Sequence, residues 1–364
     1  MVTLLEVIRR TAPIVDDILD NRKEHTKALM EYIAPKLGDI NEIVFVGSGT
    51  SSTCAMTSKG FVERASGVKA SVYMPNEFYN DRTAYNPNAL YIFTSQSGNS
   101  IIARDCQRKM KDLGYLTVGI TESPNTTIAL EAGCHVIMGC GFEEYGCRTI
   151  GYCSSILTHM IIAMEIGLAK GHLSQEQYDA YIAEARKVPA SHAKICDQTL
   201  AWFEKNKKTI MDCTHYVYFG AASLWGVALE GALKNLEISL RMSSGYEMEE
   251  GLHGPTMGFH EDTCVLILNG SDEDSKKALG LAEMCHDRDV KAFVIGSDVF
   301  DDNDLKIDVC GGAFKALEFA PTVEIFAYLI ACEEGIDLTK PMEMPKKVYF
   351  ETHDFETMHA QGQQ

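Results

Sequence analysis

Positive charge is what this sequence is short of. Its 33 lysines and arginines stand against 51 aspartates and glutamates, a formal net charge of −18. That balance argues against nucleic acid and anionic membrane surfaces as partners, because both present phosphates that the overall field repels. An anionic small molecule would have to be held by local donors instead. Long hydrophobic runs are missing too: no continuous apolar stretch approaches the roughly 18 residues of a membrane span. The N-terminus, MVTLLEVIRRTAPIVDD, carries acidic residues and early arginines without a small-residue cleavage pattern, so it does not read as a secretory signal. The twelve cysteines include no CxxC pair, and Cys134, Cys140, Cys147 and Cys153 follow one another at six or seven residues. This spacing gives no zinc motif, and the thiols read as reduced and mostly buried in a cytoplasmic protein.

What is present is ordinary globular material: 46% apolar and 23% charged residues in 364, enough for two domains with their own cores. The segment 1–38 has apolar residues near helical period, with Pro13 as a start or kink and Pro35 near the end, and reads as a helical arm. Then strands alternate with helices. Ile43–Gly47, the run ASVYM, Ala89–Phe93, Leu116–Thr121 and His135–Gly139 are strand patterns, and an apolar helix follows from about Ser154 to Ala169. After a polar helical connector at 171–213, with a break at Pro189, the alternation resumes with strands at Val217–Phe219, Cys264–Leu268, Ala292–Ile295 and Ile307–Val309 and a helix near Ala320–Cys332. Such alternation predicts two doubly wound α/β halves, each a parallel sheet with helices on both faces and with ligands at the carboxyl ends of the strands. The expected boundaries are 39–170 for the first half, 214–340 for the second and 341–364 for a polar tail.

Three stretches carry chemistry. The turn after the first strand, GSGTSS, offers Gly47-x-Gly49 but Ser52 where a dinucleotide fingerprint needs its third glycine, so it does not predict NAD. The loop TSQSGNS after the third strand supplies three serines and a glycine at a helix N-terminus. Backbone N–H groups, hydroxyls and the positive end of the helix dipole are the donors a phosphate monoester needs, although serine and asparagine are equally common caps and turn formers. The stretch SLWGVALEGALKNLEISLRMSSGYEMEEGLHGP places Glu230, Lys234 and Glu237 at i, i+4 and i+7 on one helix face, with His253 sixteen residues beyond Glu237, before Gly254 and Pro255. A carboxylate, an ammonium and an imidazole could form an acid–base set. The same spacing equally fits a solvated ion pair worth roughly 0.3 kcal/mol, with His253 packing a loop.

These motifs together resemble the sugar isomerase (SIS) family, specifically its double-SIS phosphosugar enzymes: the isomerase portion of glucosamine-6-phosphate synthase, glucosamine-6-phosphate deaminases, and deglycases of glycated-amine phosphates. EGALKNLEIS followed by GLHGP matches the reaction-centre half, and SQSGNS with GTS matches the phosphate half. The resemblance implies a flavodoxin-like fold for each half. It implies that Ser51, Ser95, Gln96, Ser97 and Ser100 hold the phosphate. Gly49, Thr50, Glu144, Cys147, Thr149 and Glu250 are expected to line the sugar pocket. Glu237 is the expected base, His253 the ring-opening residue and Lys234 the cation beside a developing enolate or enamine oxygen. Lys346, between Pro345 and Lys347, falls where the synthase tail brings a lysine to the open-chain sugar. Thr149-Ile150-Gly151 stands where the synthase has Ser-Thr-Lys, and this RTxGY pattern is closer to the catabolic deglycases. The start Met1-Val2 carries no cysteine nucleophile, which argues against glutamine-fed amination. The expectation is therefore a deglycase or deaminase of an amine-bearing sugar 6-phosphate, with an aldose–ketose isomerase second and a non-catalytic sugar-phosphate sensor third; no basic helix-turn-helix supports the last. No cofactor or metal is expected. The partner is a small sugar phosphate, and the chain is expected to form a homodimer or larger homo-oligomer with His253 acting in trans.

Overall fold

The structure, a computed structural model, describes residues 2–272, 274–340 and 350–354. The chain folds as two units. One comprises residues 17–142, 154–180 and 350–354; the other comprises 2–16, 143–153 and 181–340. Each holds a five-stranded sheet in which every strand pair is parallel.

The chain opens with helices α1 (Leu4–Arg9) and α2 (Thr11–Ile33), interrupted at Arg10; α1 is started by a Thr3–Glu6 capping box. The first sheet follows: β1 (Glu42–Val46), α3 (Thr50–Ser66), β2 (Lys69–Tyr73), β3 (Ala89–Thr94), α4 (Ile101–Asp112), β4 (Leu116–Thr121), α5 (Thr127–Glu131) and β5 (Cys134–Ile137), in strand order β2-β1-β3-β4-β5. Every residue of β1 and β3 is buried, as strands covered on both faces require, which is why they read as unbroken apolar runs. Val44, Val46, Tyr91 and Phe93 pack with Phe78, Cys106, Met110 and Ile128 on one of those faces.

Helix α6 runs Ile150–Ala169, four residues longer at its start than the sequence predicts. The cause is Glu143, a buried carboxylate that accepts the N–H groups of Thr149 (2.9 Å), Ile150 (3.0 Å) and Gly151 (3.2 Å) and so satisfies the first amides of the helix from the preceding loop. It is the one helix long and apolar enough to cross a membrane, by length and composition, among the described residues; 89% of that stretch is buried inside the protein. The polar connector is a pair of helices, α7 (Gln175–Ala185) and α8 (Val188–Met211), with Pro189 in the first turn of α8.

The second sheet comprises β6 (His215–Gly220), α9 (Ser223–Lys234), β7 (Met242–Glu247), α10 (Met248–Leu252), β8 (Thr263–Asn269), α11 (Ser275–Asp287), β9 (Lys291–Gly296), β10 (Leu305–Lys306) and α12 (Ala316–Glu333). Its order, β10-β9-β8-β6-β7, has the connectivity of the first sheet and is the flavodoxin-like order. On one face Phe326 of α12 is ringed by Trp202, Phe203, Tyr216 and Tyr218; on the other, Val217, Phe219, Val265 and Ile267 pack with Leu281 and Cys285 of α11. Each such fully buried side chain contributes about 1.5–3 kcal/mol.

One strand leaves no pattern in the sequence and another is displaced. Met242–Tyr246 forms most of edge strand β7, paired in parallel with β6. Its sequence, MSSGYE, has no apolar alternation because the strand is half exposed, and Gly245 is needed where a Cβ would lie 2.7 Å from the Ala228 carbonyl oxygen of α9. The last strand is Leu305–Lys306 rather than Ile307–Val309; it is two residues long, too short to leave a period-two signal.

Candidate functional site

Strands β1 and β3 lie side by side in register Val46↔Phe93, so the turns that leave their carboxyl ends are neighbours at the point where the strand order reverses. Gly47, Gly49, Thr50 and Ser51 form one of those turns. Gly49 has φ +57° and ψ −131°, a conformation glycine adopts without strain, and it starts α3 with no side-chain cap. Ser95, Gln96, Ser97, Gly98, Asn99 and Ser100 form the other. Ser95 is buried, its N–H bonds the Ile120 carbonyl (2.9 Å), and its hydroxyl accepts from Gly98 N–H (3.2 Å). Gly98 has φ +66°, and a Cβ there would lie 2.1 Å from the Thr126 hydroxyl, so the loop requires glycine. Ser100 starts α4 without a side-chain cap bond; Gln96, Ser97 and Ser100 are half-buried. Two helix N-termini without side-chain caps, α4 with its first N–H on the Thr352 carbonyl (3.2 Å), and their serines thus follow adjacent strands, a constellation of donors suited to an anion.

His159 supports this loop from within, and no sequence pattern marks it. Its ring nitrogens lie 2.9 Å from the Thr94 hydroxyl and 3.2 Å from the Ser58 hydroxyl, immediately before Ser95 in the chain. Complete burial pulls its pKa down to about 3, so it serves as a neutral hydrogen-bonding strut. A lone histidine in an apolar helix has no periodicity that marks it.

In the other unit, α9 ends at Lys234 and continues as a π-helical turn, Asn235–Ser239, a local widening that recurs at functional sites. Lys234 Nζ lies 3.1 Å from Glu230 Oε1 and 2.8 Å from Glu237 Oε2. The solvated-face alternative is excluded: the side chains of Lys234 and Glu230 are 0% exposed, while Glu237 is 34% exposed. Helical spacing alone could not decide this, because β6, β7 and α12 cover α9 in three dimensions. Burial works against the Lys234 charge, but Glu230 and then Glu237 outweigh it and hold the ammonium well above its usual range. Glu237 therefore combines a charge-assisted bond to a fixed cation with partial access to solvent, which is what a proton-accepting carboxylate needs.

The other expected residues are placed as follows. Cys147 is half-buried and within electrostatic range of Lys234 and Glu237; burial pushes its thiol up to about 11 against the pull of Lys234. Thr149 is fully buried, and its hydroxyl donates to Glu143 (3.1 Å). Glu144 pairs with Arg10. Glu250 is exposed on α10, where its N–H is capped by Glu247. His253 ends α10 with its side chain 69% exposed, and its Nδ1 lies 3.0 Å from the Glu249 carbonyl oxygen and 3.9 Å from the Glu249 carboxylate. The ion triad thus forms within α9 and its π turn, while His253 bonds Glu249 instead of joining it. Lys346 lies outside the described residues. Among the described residues no three His, Cys, Asp or Glu side chains converge to hold a metal ion.

Residues 36–165 match the SIS domain, and both sheets have the SIS-like α/β architecture. Among particular proteins, the chain is 22% identical over 361 residues to glutamine–fructose-6-phosphate aminotransferase [isomerizing] of Pseudomonas putida, a match covering 96% of this chain and 59% of that protein. The chain thus spans less than two thirds of the curated relative's length. A candidate phosphosugar isomerase of Clostridium difficile 630 superposes with a TM-score of 0.86 at 22% identity, covering 97% of this chain and 99% of that one. Glucosamine-6-phosphate deaminase of Thermotoga maritima gives 0.70 at 22% identity, covering 92% and 98%.

Proposed function

We propose that this protein is a cytoplasmic phosphosugar enzyme of the SIS type, acting on an amine-bearing sugar 6-phosphate. The observation that carries the reading is Lys234, fully buried between Glu230 and a partly exposed Glu237. Burying an ammonium and a carboxylate is expensive, and a pure sensor has no use for the arrangement. Ser51, Ser95, Gln96, Ser97 and Ser100 hold the 6-phosphate, and Gly49, Thr50, Glu144, Cys147, Thr149 and Glu250 shape the sugar's surroundings. His253, in trans from a second copy, opens the ring. Glu237 takes a proton from carbon 1 or carbon 2 of the open chain, and Lys234 stabilises negative charge as it develops on the neighbouring oxygen. Returning the proton to the adjacent carbon leaves an imine. Water adds to it, the carbon–nitrogen bond breaks with its electrons going to nitrogen, and a free amine leaves. Lys346 is assigned a supporting contact to the open-chain sugar.

The amine is favoured because the similar proteins include an aminotransferase and a deaminase, and because Thr149-Ile150-Gly151 departs from the synthase pattern. Incubation with fructosamine, glucosamine and glycated-lysine 6-phosphates should release free amine from at least one. Interconversion of aldose and ketose 6-phosphates without amine release would replace this reading with the isomerase. Mixing exchanged subunits of Glu237→Gln and His253→Ala should restore part of the lost activity; a mixture that stays inactive refutes action in trans.

A further inference from the structure

Helix α12 brings another carboxyl to the ion triad. Glu324 is 0% exposed, and among the described residues neither of its carboxylate oxygens has a hydrogen-bond partner. Asn235, next to Lys234 and equally buried, makes no side-chain bond either, so its amide does not compensate Glu324. The two helices are held close at Gly231, where a Cβ would lie 2.8 Å from the Tyr218 ring and 3.0 Å from Val323 Cβ. Glycine there lets α12 pack down on α9 one residue from Glu324 on one side and one residue from Glu230 on the other.

The groups acting on Glu324 come from several elements: Glu230 and Lys234 on α9, Glu143 before α6, Cys153 on α6 and Cys196 on α8. The cation acting on it is Lys234, and Glu230 and Glu237 already bind that ammonium. A second buried carboxylate with no donor would be left without compensation, at a penalty that protonation avoids. Burial accordingly raises the Glu324 carboxyl well above the usual carboxylate range, with Glu230 adding to the effect and Lys234 opposing it.

We propose that Glu324 is a positioning residue for the proton-transfer pair: its buried carboxyl, brought by α12 to the Glu230–Lys234 pair, does not compete with Glu230 for Lys234, so the ammonium reaches outward to orient the Glu237 carboxylate. The proposal rests on Glu237 being the base. When Glu324 ionises as pH rises, a second negative charge competes for Lys234 and repels Glu237, and turnover falls. The alkaline limb of the pH–rate profile therefore belongs to Glu324.

Stability gives an independent reading. Above about pH 4.5 the unfolded chain releases the Glu324 proton and the folded chain keeps it, so this group subtracts stability as pH rises from there toward the folded-state value.

The test compares wild type with Glu324→Gln and Glu324→Leu, both uncharged at every pH. Infrared difference spectra at neutral pH should contain a protonated-carboxyl band in wild type that both variants lack. The gain in melting temperature of Glu324→Gln over wild type should grow between pH 5 and pH 8. With a turned-over 6-phosphosugar, the alkaline limb of Glu324→Gln should move to higher pH, giving about tenfold more turnover where wild type has lost nine-tenths of its own. An ionised Glu324 in the neutral-pH spectrum, or an unmoved alkaline limb, overturns the proposal. Should both variants fail to fold, an infrared titration of wild type with isotope-labelled glutamate decides it: no protonated band at neutral pH overturns it. Failure of every sugar phosphate to react refutes the proposed function and with it the positioning role, while the neutral-pH spectrum still decides whether Glu324 is protonated.

Discussion

The two sheets share a strand order and differ in what stands at the ends of their equivalent strands. After the third strand of the first sheet comes Ser95–Ser100, hydroxyls and N–H groups around a required glycine. After the corresponding strand of the second comes Asn269, Gly270, Ser271 and Asp272, where Lys315 Nζ bonds the Gly270 carbonyl (3.2 Å) and the Asp272 carboxylate (2.8 Å). That turn carries its own cation and anion, paired with each other, where the first sheet's loop has hydroxyls. The first helices differ in the opposite sense. Buried polar groups of α3 are serines and threonines bonded largely to their own backbone, such as Thr57 and Ser58, whereas α9 buries Glu230 and Lys234 as ions. One topology thus carries a hydroxyl-rich loop in one copy and a buried ion triad in the other, and in the proposed function these act as an anion cradle and a proton-transfer pair, chemistry set by loops and buried polar residues rather than by fold.

This contrast can be broken most sharply at Glu237. Glu237→Gln should lower turnover by about 10²–10⁴-fold and abolish solvent-deuterium exchange at carbon 1 or 2 while substrate still binds. Exchange at the wild-type rate would reduce Glu237 to an ordinary helix residue. Next in size is Lys234→Met, which strands the buried Glu230 carboxylate and should lower unfolding free energy by about 3–5 kcal/mol in denaturant titrations. Lys315→Met breaks the partly exposed pair with Asp272 in the same half and should lower it by at most about 1 kcal/mol. Equal losses would mean that the two ion pairs are equivalent after all.

Ser97→Ala or Ser95→Ala should weaken binding of a 6-phosphosugar by about 10–100-fold, the loss of one bond to a charged group, with little effect on the unphosphorylated sugar. Ser271→Ala, at the matching turn, should alter neither in calorimetry. A parallel weakening of phosphorylated and unphosphorylated ligands would remove the phosphate assignment. The smallest effect concerns backbone strain. Ala222 starts α9 with φ +50° and ψ −122°, almost the conformation of Gly49 at the start of α3. With a Cβ in that region Ala222 is strained, so Ala222→Gly should stabilise the protein and Gly49→Ala should destabilise it, each by about 1–2 kcal/mol in thermal or chemical melts. If Ala222→Gly proved destabilising, the surrounding packing rather than the backbone would be setting the conformation.

The sequence by itself determined the two α/β halves and most of their strands, because parallel strands covered on both faces must be unbroken apolar runs separated by turns and helices. It also marked the hydroxyl loop at Ser95–Ser100 and the Glu230, Lys234, Glu237 spacing, since both patterns are local and need no partner to be visible. Edge strand β7 escaped, because a half-exposed edge is under no pressure to alternate. The tertiary structure alone decided that Lys234 and Glu230 are buried: helical spacing is identical on a wet face and a covered one. It alone revealed Glu143 as the cap of α6, His159 as the support of Thr94, and Glu324 beside Lys234. The His159 and Glu324 contacts depend on residues far apart in sequence being brought together, Glu143 reaches back from a loop just before its helix, and a single buried carboxyl or imidazole leaves no periodic trace of what it will meet.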